Sequence, residues 1–230
     1  MNHKFLQRLD ADQRELLLSL DSPRKIQDFL DRIPYNIEET NFSPLRVMQE
    51  QRAHCVEGAL FAAAALRQIG YAPILLDMLP DPGMDDDHVL AVYRQNGAYG
   101  AIAKSNYWCL RYREAVYRSL RELVMSYYEL FFNVHGLKEL RAYTVPLHVD
   151  KLDHLEWMWD DKGAAEVYQR LLNLRKITVT TPAQIASLSL MDPAAYEACM
   201  SGVNPDGLFK GLKWDKEHYA RPGKDEGSGG

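Results

Sequence analysis

RAHCVEGALFAAAALRQIG, residues 52–70, places a cysteine directly before an alanine-rich apolar run that closes on glycine. Leu60, Ala63, Ala64, Leu66 and Arg67 belong to a helical pattern of strong helix formers, and Gly70 stands where a C-terminal cap belongs. The spacing therefore predicts a core helix from Cys55 to about Ile69. Two readings of Cys55 follow. It is a buried sulfur that begins a core helix, the ordinary place for a free cysteine, or a nucleophile whose thiolate the helix N-terminus stabilises.

Downstream of Gly70 the period changes. APILLDML (72–79) suits a buried strand, PDPGMDDD (80–87) a turn-rich acidic loop, and HVLAVYR (88–94) with AYGAIAK (98–104) two strands joined at Asn96-Gly97. Asn-Gly supplies the positive φ that a two-residue hairpin demands. Upstream, DADQRELLLSL (10–20) carries an Asp cap, and SPRKIQDFLDRI (22–33) has Ser22 as N-cap and Pro23 at the first helical position. Residues 34–51 read as a connecting segment with one more helical turn. Beyond Asn106 the pattern reads as helix again. LRYREAVYRSLRELVMSYYELFF (110–132) sets Leu110, Val116, Leu120, Leu123 and Val124 near one face and its arginines toward the other. VPLHVDKL (145–152) reads as a short extended piece, residues 163–176 as a helix, and Thr181-Pro182 as a helix start.

A thiolate needs an imidazole nearby, and the imidazole needs a group that orients it. His88 opens a strand 33 residues after Cys55 (88 minus 55). With the turn at Asn96 and Gly97, antiparallel partners sum to 193, so His88 is expected opposite Ser105, with Asn106 beside it. The run Asp85-Asp86-Asp87 is expected to be a solvated loop that raises the pKa of His88 by proximity.

In order and spacing, RAHCVEGALFAAAALRQIGYAP and DDHVLAVYRQNGAYGAIAKSN resemble the transglutaminase-like cysteine hydrolase superfamily, in a bacterial-type member. The resemblance covers roughly residues 22–107. It implies an α+β fold with a papain/transglutaminase-like core, in which the nucleophile helix packs on a small antiparallel sheet, plus N- and C-terminal helices. It further implies Cys55 as nucleophile and His88 as general base. Asn106 would be the orienting residue, with Ser105 as the alternative third member, where the superfamily usually carries an aspartate. Gln49, six residues before the cysteine, is a candidate oxyanion donor, with Gln51 beside it. The implied chemistry is that of a hydrolase or transamidase acting on an amide or ester carbonyl through a Cys thioester, with a peptide or protein substrate. The alternative is a catalytically inactive member that binds protein or peptide in the same cleft, because asparagine supplies no charge to stabilise an imidazolium.

One domain is expected over residues 1–220, comprising a core at 22–107 and a helical extension at 108–220, followed by a disordered tail at 221–230. The 27 basic and 32 acidic residues form no long block of one sign, which gives no nucleic-acid footprint. No apolar run is long enough for a membrane span, and the charged N-terminus is not a signal sequence, so a cytoplasmic protein is expected. Cys55, Cys109 and Cys199 are widely spaced and odd in number, which suits reduced thiols. No CxxC or HExxH spacing suggests a metal, and no cofactor motif is present. His54 reads as a surface or gatekeeper residue, and Cys109 and Cys199 as structural.

Overall fold

The structure is a computed structural model and describes residues 3–210. The expected tail at 221–230 lies outside the described residues, as do residues 211–220 of the expected domain. Short helices lead in, and α2 and α3 start where their caps predict. After α1 (His3–Arg8), α2 (Ala11–Ser19) is held by a reciprocal cap. The Asp10 carboxylate accepts from the Gln13 amide at 2.8 Å, and the Gln13 side chain accepts from the Asp10 amide at 3.1 Å. Ser22-Pro23 starts α3 (Pro23–Arg32), and Ser43-Pro44 repeats the device for α4 (Pro44–Glu50). The central helix α5 (Cys55–Gln68) runs as its composition predicts, and every residue from Cys55 to Leu66 is buried.

Three strands follow: β1 (Ile74–Leu79), β2 (His88–Gln95) and β3 (Ala98–Ile102). Asn96 and Gly97 take φ of 51° and 84°, and Gln95 pairs with Ala98 and Arg94 with Tyr99, in the expected register. Pairing runs back only to Ala91 with Ile102. The chain then leaves the ladder, so Ser105 is not brought opposite His88.

The segment 110–132 departs from the expected single helix. It holds β4 (Arg113–Tyr117), α6 (Leu120–Met125) and short 3-10 turns. Tyr112, Val116 and Tyr117 are aromatic or β-branched, and the free edge of β3 offers them a ladder, which overrides a helical periodicity made largely by the arginines. Val116, counted on the core face of that helix, is 65% exposed. Ser119 then caps α6 and restarts the helix. Further on lie β5 (Ala142–Thr144), β6 (Leu147–His148), α7 (Asp161–Leu172), β7 (Lys176–Thr178), α8 (Pro182–Ala186) and α9 (Pro193–Met200). The sheet is therefore larger than expected. Seven strands join in the order β4-β3-β2-β1-β5-β7, with β6 also on β1, all antiparallel. The extension after residue 107 supplies four of them, so it is not purely helical. The fold is α+β. Among the described residues no helix is long and apolar enough to cross a membrane.

Strand alternation assigns side chains to two faces. Leu75, Val89, Ala91, Tyr93 and Ile102 face α5 and the N-terminal helices. Leu76, Met78, Leu90, Val92, Ala101 and Ala103 face a second core with Leu110, Val124, Tyr127, Phe131 and Phe132. Gly58 lets the hairpin end approach α5, since a Cβ there would lie 2.3 Å from Lys104 Cβ. Lys104 is itself pinned, because its buried ammonium donates to the carbonyls of Leu30 at 2.7 Å and Ile33 at 2.5 Å. Gly58→Ala is therefore expected to cost about 2 kcal/mol by overpacking, measured as a lower urea midpoint at unchanged slope.

Candidate functional site

Cys55 is the first residue of α5 and lines a cleft of about 880 Å³. One wall is the loop 35–41, another is residues 206–210, and Asp86, Asp87 and Tyr168 form the side toward the sheet. Glu57, one turn into α5 and fully buried, ties the loop to the helix. Its Oε1 accepts from Thr40 Oγ1 at 2.6 Å and the Phe42 amide at 2.9 Å. Its Oε2 accepts from Asn36 Nδ2 at 3.1 Å and the His54 amide at 2.9 Å. Four donors satisfy both oxygens of a buried carboxylate, which is what keeps it there.

The Cys55 sulfur rests against the backbone where β2 begins, 3.9 Å from the Asp87 carbonyl. Burial pushes its thiol well above the ordinary range and the Asp87 carboxylate pushes the same way, with only the Val89 backbone opposing them. A thiol so placed is held toward its neutral form.

His88 does not meet Cys55. It pairs with Met78 on the ladder and alternates with Val89, so its ring enters the second core, on the face of the sheet turned away from α5. There Nε2 lies 2.8 Å from the Leu110 carbonyl. Burial drives its pKa down to about 4, opposite to the expected rise, with Arg113 adding to the fall. The acidic run before it points elsewhere: Asp87 shares the parity of Val89 and faces the cleft.

The other expected members are also dispersed. Asn106 is engaged with the chain after α9, donating to the Asn204 carbonyl and accepting from the Asn204 amide, both at 2.9 Å. Ser105 Oγ accepts from the Tyr107 amide at 3.1 Å. Gln49 is exposed on α4 and absent from the cleft lining, and Gln51 Nε2 turns back to the Met48 carbonyl at 2.7 Å. His54, expected as a surface or gatekeeper residue, lines the cleft with Nε2 2.7 Å from the Thr40 carbonyl.

In place of an imidazole, the sheet presents a pair of carboxyls. Asp77 on β1 is fully buried, shares a face with Asp87, and has no donor on either oxygen. Burial, then the Asp87 charge, raises its pKa to about 9. It therefore holds its proton at neutral pH, while Asp87 accepts from Tyr168 at 2.9 Å. Sequence reasoning missed Glu57, Asp77, Tyr35 and Tyr168. The one signal was a carboxylate inside each apolar run, Glu57 in the helix and Asp77 in the strand, since a buried acid must be paired or protonated.

The Glu38 carboxylate is neutralised by Arg52 at 2.9 Å. Glu39, Asp86, Asp87 and Asp206 make no ion pair with Lys or Arg among the described residues, and Tyr35 and Phe209 add aromatic faces. The class defined by these features is an α+β protein with an acidic cleft at the start of its central helix. No family model matches the chain, and no curated protein matches it. Among solved structures it is similar to Legionella pneumophila LapG and to the EGTA-treated form of LapG. Each match has 14% identity and a TM-score of 0.33, over 44% of this chain and 67% of that chain, a weak likeness at the level of fold.

Proposed function

We propose that this chain is a binding module, a non-catalytic relative of the transglutaminase-like hydrolases it resembles in sequence, whose acidic cleft receives a positively charged peptide or protein segment. The observation that carries this reading is the placement of His88 on the far face of the sheet from Cys55, which leaves a neutral thiol at the cleft floor without its base. Carboxylates at Glu39, Asp86, Asp87 and Asp206, with the ring of Tyr35, suit a lysine or arginine side chain through charge and cation–π attraction.

Two measurements test it. Iodoacetamide labelling of Cys55 against pH is expected to be slow, with an apparent pKa no lower than that of a free thiol and no change in His88→Ala. Lysine- and arginine-rich peptides are expected to bind in preference to acidic ones, to weaken with added salt, and to lose roughly tenfold in affinity in Asp206→Asn with Glu39→Gln. Rapid labelling that collapses in His88→Ala would instead favour the cysteine hydrolase or transamidase reading. So would rapid labelling in wild type that depends on His54, the imidazole that shares the cleft with Cys55.

A further inference from the structure

Cys109 and Cys199 are 90 residues apart in sequence (199 minus 109) and meet in the second core, each 2% exposed. The Cys109 thiol donates to the Leu130 carbonyl at 3.9 Å, and the Cys199 thiol lies near enough to act on its titration. The residues next to each confirm the approach: the Trp108 indole donates to the Ala198 carbonyl at 2.7 Å. Cys109 belongs to the body of the sheet, in the turn after β3. Cys199 rides on α9, part of a terminal strap that runs from Asp192 to Lys210. Ala195, Tyr196 and Met200 of the strap also pack on the second core. Tyr196 donates to the Val134 carbonyl at 2.9 Å and stands against Phe132 at 5.3 Å, and Asn204 exchanges two hydrogen bonds with Asn106. Its far end, Asp206 to Lys210, forms one wall of the cleft.

We propose that Cys109 and Cys199 are a redox pair that closes into a disulfide and fastens this strap to the sheet. In the docked state burial raises the Cys109 thiol and suppresses its thiolate, so oxidation starts when the strap lifts and exposes Cys199. The Cys199 thiolate attacks one sulfur of a low-molecular-weight disulfide and expels one small thiolate. When the strap returns, Cys109 loses its proton and attacks the Cys199 sulfur of the mixed disulfide, expelling the second small thiolate. The two protein thiols have then lost two protons and two electrons, and the small disulfide has become two thiols. A ligand in the cleft would be retained longer once the strap is fastened. That consequence rests on the cationic-ligand reading, whereas formation of the disulfide does not.

The test uses the full chain carrying Cys55→Ser, which leaves only the two thiols of the pair. After incubation with glutathione disulfide under native conditions, mass mapping is expected to find the peptide holding Cys109 linked to that holding Cys199. The midpoint of thermal unfolding is expected to rise by roughly 5–10 °C, reversibly on adding dithiothreitol. Limited proteolysis is expected to cut the strap in the reduced form and spare it in the oxidised form. Glutathione adducts alone, intermolecular dimers, or a link formed only after denaturation in urea would overturn the proposal. Cys109→Ser and Cys199→Ser each remove the link if it is correct. Loss of peptide binding with the disulfide still formed would count against the cleft reading and leave the redox pair standing.

Discussion

Glu57→Ala is expected to lower stability by about 3–5 kcal/mol, because truncating one partner strands several buried groups at once. The carboxylate takes hydrogen bonds from Asn36, Thr40 and the amides of Phe42 and His54, so its loss removes one acceptor from all four at once. Of the four, Asn36 and Thr40 sit in the loop that walls the cleft, and His54 sits at the mouth of α5. The variant should therefore lose the cleft before it loses the core. Urea denaturation would show the fall in midpoint, and hydrogen exchange would show protection vanishing first at residues 36–42 while β1 and β2 stay protected. Glu57→Gln keeps the shape but turns an amide donor toward groups that are themselves donors, so an intermediate loss is expected. Equal exchange at the loop and the sheet in Glu57→Ala would show that the carboxylate does not organise the wall.

The second large effect is on pH. His88 titrates near 4 in the folded protein, below its ordinary 6.5, so it contributes stability above pH 6.5 that is lost as pH falls toward 4. Asp77 is displaced the other way, to about 9 from 3.8, so its contribution is present at low pH and is lost as pH rises toward 9. Between pH 4 and 6.5 the His88 slope opposes that of Asp77 but not those of Asp85 and Glu139, also raised by burial, so stability falls with pH there too, less steeply than just above it. From pH 6.5 to 8 His88 is neutral in both states and only the acids act. Asp77 alone then lowers stability by about 1.4 kcal/mol per pH unit, or roughly 2 kcal/mol over that window. Asp85, raised by burial to about 8, and Glu139, raised to about 7, lean the same way. Above pH 8 the buried Lys104, lowered by burial to about 8, opposes them. Thermal unfolding at stepped pH is expected to show a shallow decline at pH 4.5–6.5, where His88 opposes the buried acids, and a steeper one just above pH 6.5, where it no longer does. Asp77→Asn, which keeps the shape of the neutral acid and removes its titration, is expected to make that decline shallower. An unchanged slope in Asp77→Asn would place the titrating proton elsewhere.

The local signals in the chain were of one kind, and they worked where structure is decided by neighbours in sequence. Asp10, Ser22-Pro23 and Thr181-Pro182 each open a helix, because a cap satisfies amides within three or four residues of itself. Asn96-Gly97 turns the hairpin because φ is a property of those two residues. The segment 110–132 failed for the complementary reason. Its arginines and leucines fit a helical period, but the open edge of β3 was available only in three dimensions, and Arg113 to Tyr117 took it.

The same division runs through the site. Cys55 at the start of a buried helix, and His88 at the start of a strand, were both legible in the order of residues. Whether they meet depended on parity. Successive side chains of a strand leave opposite faces, so a displacement of one residue decides which core receives the ring. That parity is set by the pairing of β1 with β2, which puts Val89 toward α5 and His88 away from it, leaving Asp87 beside the thiol. Caps, turn, central helix and α+β class followed from short-range backbone chemistry, which the chain carries wherever it goes. The identity of the group that faces Cys55 followed from register between strands and from burial, which exist only once the sheet has closed.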